Sequence, residues 1–140
     1  LSAAPSLVWS ADIGAGDGKR NRITADPVVD QGRVFTLDSE ALVTATSTAG
    51  ATLWQTDLTP ARDRQDEATG GGLALGAGKL FIASGFGTLT AVDPATGDIV
   101  WQQDLETTGS GTPTVYGDLV YLVSGDNTAW ALEVDTGRVH

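Results

Sequence analysis

Apolar and polar residues alternate in short runs along most of this chain, and the runs recur. Pro27-Val-Val-Asp-Gln-Gly-Arg-Val-Phe35 aligns without a gap to Pro113-Thr-Val-Tyr-Gly-Asp-Leu-Val-Tyr121, and more loosely to Leu73-Ala-Leu-Gly-Ala-Gly-Lys-Leu-Phe81. In each run the apolar positions alternate around a Gly/Asp turn, the signature of two short period-two strands joined tightly. No apolar period of about 3.6 residues is sustained over a helical length, so the pattern predicts a nearly all-β chain.

A second recurrence follows the hairpins. Trp9, Trp54 and Trp101 lie 45 and 47 residues apart, and each opens the pattern Trp-x-x-Asp-Ile/Leu through Asp12, Asp57 and Asp104. A third element precedes the tryptophan. Its fullest copy is Ala91-Val-Asp93-Pro-Ala-Thr96-Gly97-Asp-Ile-Val-Trp101, followed by Ala131-Leu-Glu133-Val-Asp-Thr136-Gly137-Arg-Val-His140, which stops one residue short of a fourth Trp. The earlier copy at 45–54 keeps Gly50 four residues before Trp54, but its turn is one residue shorter and has no carboxylate.

These units predict β segments at 27–30, 33–38, 41–47 and 51–58, then 72–76, 79–84, 88–93 and 98–105, then 112–116, 119–124, 128–133 and 138–140. Residues 7–13 form an extra outer strand. Four antiparallel strands in a repeat of about 40–47 residues make one propeller blade, whose sheet packs face to face with its neighbours around an axis. The predicted fold is therefore all-β, a β-propeller of four-stranded antiparallel blades. Residues 1–140 read as one partial propeller, with blades at 27–58, 72–105 and 112–140, the last truncated. Three blades cannot close a ring, so a side face and several strand edges are expected to stay exposed, inviting further blades or self-association.

The recurring residues have mechanical roles on this reading. Gly97 and Gly137 sit where a turn needs positive φ. Asp93 is placed to accept hydrogen bonds from backbone N–H groups of its turn, and Glu133 to do so less well. Ala91 and Ala131 leave room for a neighbouring backbone or ring. Trp101, four residues after Gly97, is expected to cover the Gly97 turn with its indole and bury area between adjacent blades.

Composition narrows the function classes. Eighteen Asp and Glu against eight Lys and Arg give a formal charge of −10 over 140 residues, which disfavours nucleic acid and anionic lipid as partners. There is no cysteine, so disulfides, thiolate metal sites and cysteine nucleophiles are excluded. The single histidine is His140, which removes histidine triads and metal-binding histidine clusters. No run approaches the roughly 18 apolar residues of a membrane span, and Leu1 to Ser6 lack the basic and apolar regions of a signal peptide.

The pattern Ala-x-Asp-x-x-Thr-Gly-x-x-x-Trp at 91–101 resembles the tryptophan-docking motif of PQQ-type propeller repeats, and with the hairpins the resemblance covers nearly the whole chain. Two branches share that repeat. The quinoprotein dehydrogenases add an adjacent cysteine pair over the quinone, a calcium ion held by Glu, Asn and Asp, and a catalytic Asp. The other branch is the non-enzymatic BamB family, a component of the outer-membrane β-barrel assembly machinery. The stretches beginning at Arg22, Thr36 and Ser124 are more similar to the latter. That resemblance implies part of an eight-bladed ring with no cofactor, acting as a scaffold in the assembly and insertion of β-barrel proteins. It also implies a protein partner such as a BamA-like barrel-assembly protein, and a place on the periplasmic side of the outer membrane. A fragment of a PQQ-dependent dehydrogenase and a generic PQQ-repeat interaction module remain as alternatives.

In the BamB family part of the partner contact is carried by an arginine on an inter-blade loop, five residues before the proline that opens the next blade. Arg22 stands five residues before Pro27, within the basic run Lys19-Arg20-Asn21-Arg22, although the leucine expected just before that arginine is Asn21 here. Arg20 and Arg22 are accordingly the candidate partner-binding residues, a local reversal of sign on an acidic chain. The connector 59–72 is the longest and offers a second contact region. Gly14, Gly16 and Gly18 lack the helix that a phosphate loop needs, and Gly70, Gly71 and Gly72 are expected to loosen the start of the next strand. The repetition of Asp12, Asp57 and Asp104 points to a structural hydrogen bond in every blade rather than to acid–base chemistry. Asp126 with Asn127 reads as a hairpin turn, and Trp130 as inter-blade packing.

Overall fold

The computed structural model describes residues 27–37, 42–58, 71–84, 87–105, 111–123 and 127–140. The expected outer strand 7–13, with Trp9 and Asp12, lies outside the described residues, as do Arg20, Arg22, residues 59–70 of the long connector, and Asp126. The described residues form eleven strands: β1 Val28–Asp30, β2 Arg33–Leu37, β3 Leu42–Ser47, β4 Thr52–Asp57, β5 Gly71–Gly76, β6 Lys79–Ser84, β7 Thr88–Val92, β8 Ile99–Asp104, β9 Thr114–Tyr116, β10 Leu119–Val123 and β11 Ala129–Glu133. They assemble as three antiparallel sheets in which chain neighbours are also spatial neighbours: β1-β2-β3-β4, β5-β6-β7-β8 and β9-β10-β11. This is the all-β architecture of successive propeller blades. The expected twelfth strand at 138–140 is reduced to one bridge, Leu132 to Val139, and one bond from the His140 N–H to the Ala131 carbonyl at 2.7 Å.

Local chemistry explains the hairpins. The turns between β1 and β2 and between β5 and β6 take positive φ at both central residues, Gln31 (49°) with Gly32 (77°) and Ala77 (51°) with Gly78 (75°). That is the requirement of the type I′ turn, whose twist matches the flanking strands. A one-residue register slip then recurs at the outer strands. Ala45 pairs with Trp54 but Thr46 with Thr52, leaving Leu53 as the extra residue. Ala91 pairs with Trp101 but Val92 with Ile99, leaving Val100. A bulge re-aims the side chains beside it, and here the same bulge precedes Trp54 and Trp101.

The core sits between sheets, in two layers. Phe35, Leu37, Val43 and Ala45 of the first sheet meet Leu73, Leu80, Ile82 and Val92 of the second. Phe81, Ala83, Leu89 and Ala91 from the other face of the second sheet meet Val120, Leu122 and Leu132 of the third. The second sheet is thus covered on both sides, and every residue of β7 is buried. Strand β6 shows the division most plainly, with Leu80 and Ile82 in one layer and Phe81 in the other, as a side-chain period of two demands. At Gly72 a Cβ would stand 2.8 Å from Thr112 Cα, in the stretch that leads into β9. The expectation that this glycine loosens a strand start is therefore corrected: it lies inside β5 because the third sheet's backbone passes beside it.

Candidate functional site

The residues of the repeated motif meet across sheets rather than within one. Trp54 Nε1–H donates to the Pro94 carbonyl at 3.0 Å, and a Cβ on Gly97 would fall 2.5 Å from Trp54 Cε3. Trp101 Nε1–H donates to the Val134 carbonyl at 2.9 Å, and a Cβ on Gly137 would overlap the Trp101 ring. Each indole therefore covers the turn of the following sheet. This corrects the expectation that Trp101 covers Gly97. Trp101 lies four residues along the same strand direction from Gly97, about 13 Å at the rise of an extended chain, and the bulge at Val100 turns its ring off the sheet towards Gly137.

The turns that receive the indoles are built as their sequences suggest. Gly97 and Gly137 have φ of 81° and 75°. Asp93 Oδ1 accepts from the Ala95 N–H at 2.8 Å, and the Thr96 hydroxyl accepts from the Asp98 N–H at 3.2 Å. In the later copy the Glu133 carboxylate accepts instead from the Thr136 hydroxyl at 2.7 Å, a side-chain contact in place of a backbone one. In the earlier, shorter copy Ser47 takes over the carboxylate's part, its hydroxyl accepting from Ala51 N–H at 3.1 Å. Thr56 adds a bond to the first grip by donating to the Gly97 carbonyl at 2.7 Å.

Ala45 and Ala91 each lie between two rings. Phe35 pairs with Ala45 and Ala45 with Trp54 across three strands, and Phe81, Ala91 and Trp101 repeat the row. Because alanine is small, the flanking rings meet over it, with centroids 6.0 Å apart in both rows, within the range of favourable tilted contacts. The third sheet carries Tyr121 opposite Ala131 at the matching place. Asp57 and Asp104 close the outer strands in matching register, opposite Leu42 and Thr88. Trp130 packs, half-buried, against the second core layer, as its apolar neighbours suggest.

A cavity of about 680 Å³, open to solvent, lies on the third sheet against Tyr116, Tyr121, Glu133, Asp135 and His140. Asp135 is held at its rim by Lys79 Nζ at 3.0 Å, an ion pair joining the second and third sheets. Neither tyrosine drew notice from the sequence, although Tyr121 aligns with Phe35 in the gapless hairpin match. Among the described residues there is no group of three or more His, Cys, Asp or Glu side chains able to hold a metal, and no helix is long and apolar enough to cross a membrane.

Known proteins resemble this chain across nearly its whole length. Outer membrane protein assembly factor BamB of Shewanella oneidensis is 31% identical over 141 residues, which is 95% of this chain and 35% of that protein. A 1-butanol dehydrogenase (cytochrome c) of Thauera butanivorans is 30% identical over 85% of this chain but only 18% of its own length. Among solved structures, BamB from Moraxella catarrhalis superposes with a TM-score of 0.69 at 19% identity, covering 82% of this chain and 34% of its own. Quinohemoprotein alcohol dehydrogenase from Comamonas testosteroni superposes with a TM-score of 0.76 at 28% identity, covering 96% of this chain and 22% of its own. The chain thus spans about a third of the assembly factors and about a fifth of the dehydrogenases. A family model described as outer membrane protein assembly factor BamB matches residues 39–140, and on that match and the Shewanella likeness this chain of PQQ-like propeller repeats belongs to the BamB family.

Proposed function

We propose that this chain is part of a non-enzymatic scaffold that assists the assembly and insertion of β-barrel proteins into the outer membrane through protein–protein contacts. The observation that carries this reading is the family match over residues 39–140, together with 31% identity to an assembly factor over 95% of the chain. The residues are consistent with it. The only histidine is His140 and there is no cysteine, so the chain offers no cysteine nucleophile and no histidine held inside the fold as a base. Its recurring groups serve packing. On this reading the units are an outer strand at 7–13 and blades at 27–58, 72–105 and 112–140, with the Trp-on-Gly contacts acting as the family's tryptophan docking. The site of action is the periplasmic side of the outer membrane. The partner is a BamA-like barrel-assembly protein, and Arg20 and Arg22 supply cations to an acidic patch on it.

The test is direct. The chain is immobilised and the recovery of a purified barrel-assembly protein is measured for wild type and for the variant carrying Arg20→Glu and Arg22→Glu. Weakened recovery supports the role of the basic loop, and equal recovery removes it.

A second reading has its own support, because the butanol dehydrogenase matches 85% of the chain and the Comamonas enzyme 96%. In that branch the repeats would be a structural portion of a PQQ-dependent enzyme, with the quinone and calcium held elsewhere, since this chain has no cysteine pair to place over a quinone. Dye-linked alcohol oxidation by the full-length protein on adding PQQ and calcium would overturn the scaffold reading.

A further inference from the structure

We propose that the outer rim of the joint between the first two sheets, centred on Trp54, receives a basic, apolar segment of a partner protein. Hydrogen bonds from Trp54 to the Pro94 carbonyl and from Thr56 to the Gly97 carbonyl hold β4 against the turn that leads into β8. The apolar residues beside these anchors are open to water: Leu53 is 48% exposed, Ile99 49% and Val100 47%. Leu53 and Val100 are the extra residues of the two bulges, so aiming each indole at its turn leaves the preceding residue outside the ladder. Trp54 itself is half-buried, whereas Trp101 is 9% exposed. A single exposed aliphatic side chain is ordinary on a protein surface. Three of them beside an incompletely covered indole have the composition of the apolar centre of a contact site, where tryptophan is enriched.

The charges choose the occupant. Strand β4, the turn 93–98 and strand β8 carry Asp57, Asp93, Asp98 and Asp104 and no Lys or Arg, so this rim attracts cations and repels carboxylates. A second copy of this chain would set the same four aspartates against each other, which leaves a different protein as the partner. The next joint supplies an internal comparison. There Arg138 and His140 stand at the positions of Asp98 and Val100, and the Trp101 indole is almost fully covered. The open indole and the acidic, apolar rim thus occur together at the first joint and are both missing from the second. The attraction weakens as salt shortens the Debye length from about 10 Å at 0.1 M to about 3 Å at 1 M.

Titration of the whole chain with an end-capped hexapeptide of alternating lysine and leucine tests this, and because no barrel-assembly protein is present the outcome is separate from the assembly role. Nuclear magnetic resonance follows the indole N–H signals of Trp54 and Trp101. The expected result is a saturable shift at Trp54 with Trp101 still, weaker at high salt, and none with the counterpart of alternating glutamate and leucine. Asp98→Arg, which installs the residue that the next repeat carries at 138, and Ile99→Ser should each weaken binding about tenfold. Asp118→Arg, the same change of charge on the third sheet, should leave it unchanged. An unchanged far-ultraviolet circular dichroism spectrum shows that each variant is folded. No saturable shift at millimolar peptide, an equal response to the glutamate peptide or at Trp101, or binding indifferent to both Asp98→Arg and Ile99→Ser would each overturn the proposal.

Discussion

Trp54 and Gly97 are 43 residues apart in sequence and stacked in space, the indole lying so near the glycine that a Cβ would come within 2.5 Å of Cε3. Trp101 and Gly137 repeat the relationship, so each sheet holds the next by placing one large ring where the neighbour has no side chain. The contact combines buried apolar area with a directed hydrogen bond to a turn carbonyl, which fixes angle as well as distance.

Removing an indole should cost more than any surface change. Trp101 is 9% exposed and sits in the second core layer, so Trp101→Ala should destabilise by about 3–5 kcal/mol, the usual range for a large buried aromatic. Trp54 is half-buried and its loss should lie towards the lower end. Chemical denaturation followed by circular dichroism measures both.

The two parts of the glycine requirement can be separated. Gly78 and Gly137 share a φ of 75°, but nothing lies within 4 Å of a Cβ at Gly78, whereas the Trp101 ring occupies that space at Gly137. Gly78→Ala should lose only the left-handed penalty of about 1–2 kcal/mol. Gly137→Ala should lose that and displace the indole as well. Equal losses in melting experiments would show that the ring yields freely.

A stabilising change is expected in the second hairpin. Ala77 holds a φ of 51° beside Gly78, a conformation that asparagine tolerates better, and Asn-Gly is the favoured type I′ pair. Ala77→Asn should raise stability by up to about 1 kcal/mol, read as an increase in melting temperature.

The ion pair between sheets should matter little. Lys79 and Asp135 are 3.0 Å apart, but the aspartate side chain is 80% exposed, and pairs open to water contribute about 0–1 kcal/mol. Lys79→Met, which keeps most of the apolar stem, should change the unfolding midpoint only slightly and make it less dependent on salt.

Much of this architecture is legible in the sequence because its causes are local. Alternation around Gln31-Gly32 and Ala77-Gly78 writes the hairpins, and the positive φ of Gly97 and the carboxylate of Asp93 belong to a single turn. What escapes is whatever joins distant residues. Nothing near Trp101 says that its ring rests on Gly137, because the bulge at Val100 that aims it is a matter of register between two strands. The part Ser47 plays in place of a carboxylate is hidden for a similar reason, since a hydroxyl can serve many purposes until its donors are seen. Gly72 reads as a loosener from composition, and only the passage of Thr112 beside it shows a close approach.

The double covering of the second sheet has a consequence for how this chain accepts mutation. In the third sheet, tolerance along β10 should rise and fall at every second position, since Val120 and Leu122 are committed to the core while Val123 is open to water. In β7, where both faces are taken, that rhythm should vanish. Even Thr90, whose hydroxyl accepts from Gln102 Nε2 at 2.9 Å, should resist replacement as firmly as Leu89 or Ala91. Drift over evolutionary time would then leave the middle of this molecule as its slowest-changing strip, for reasons of geometry alone and without any task assigned to it.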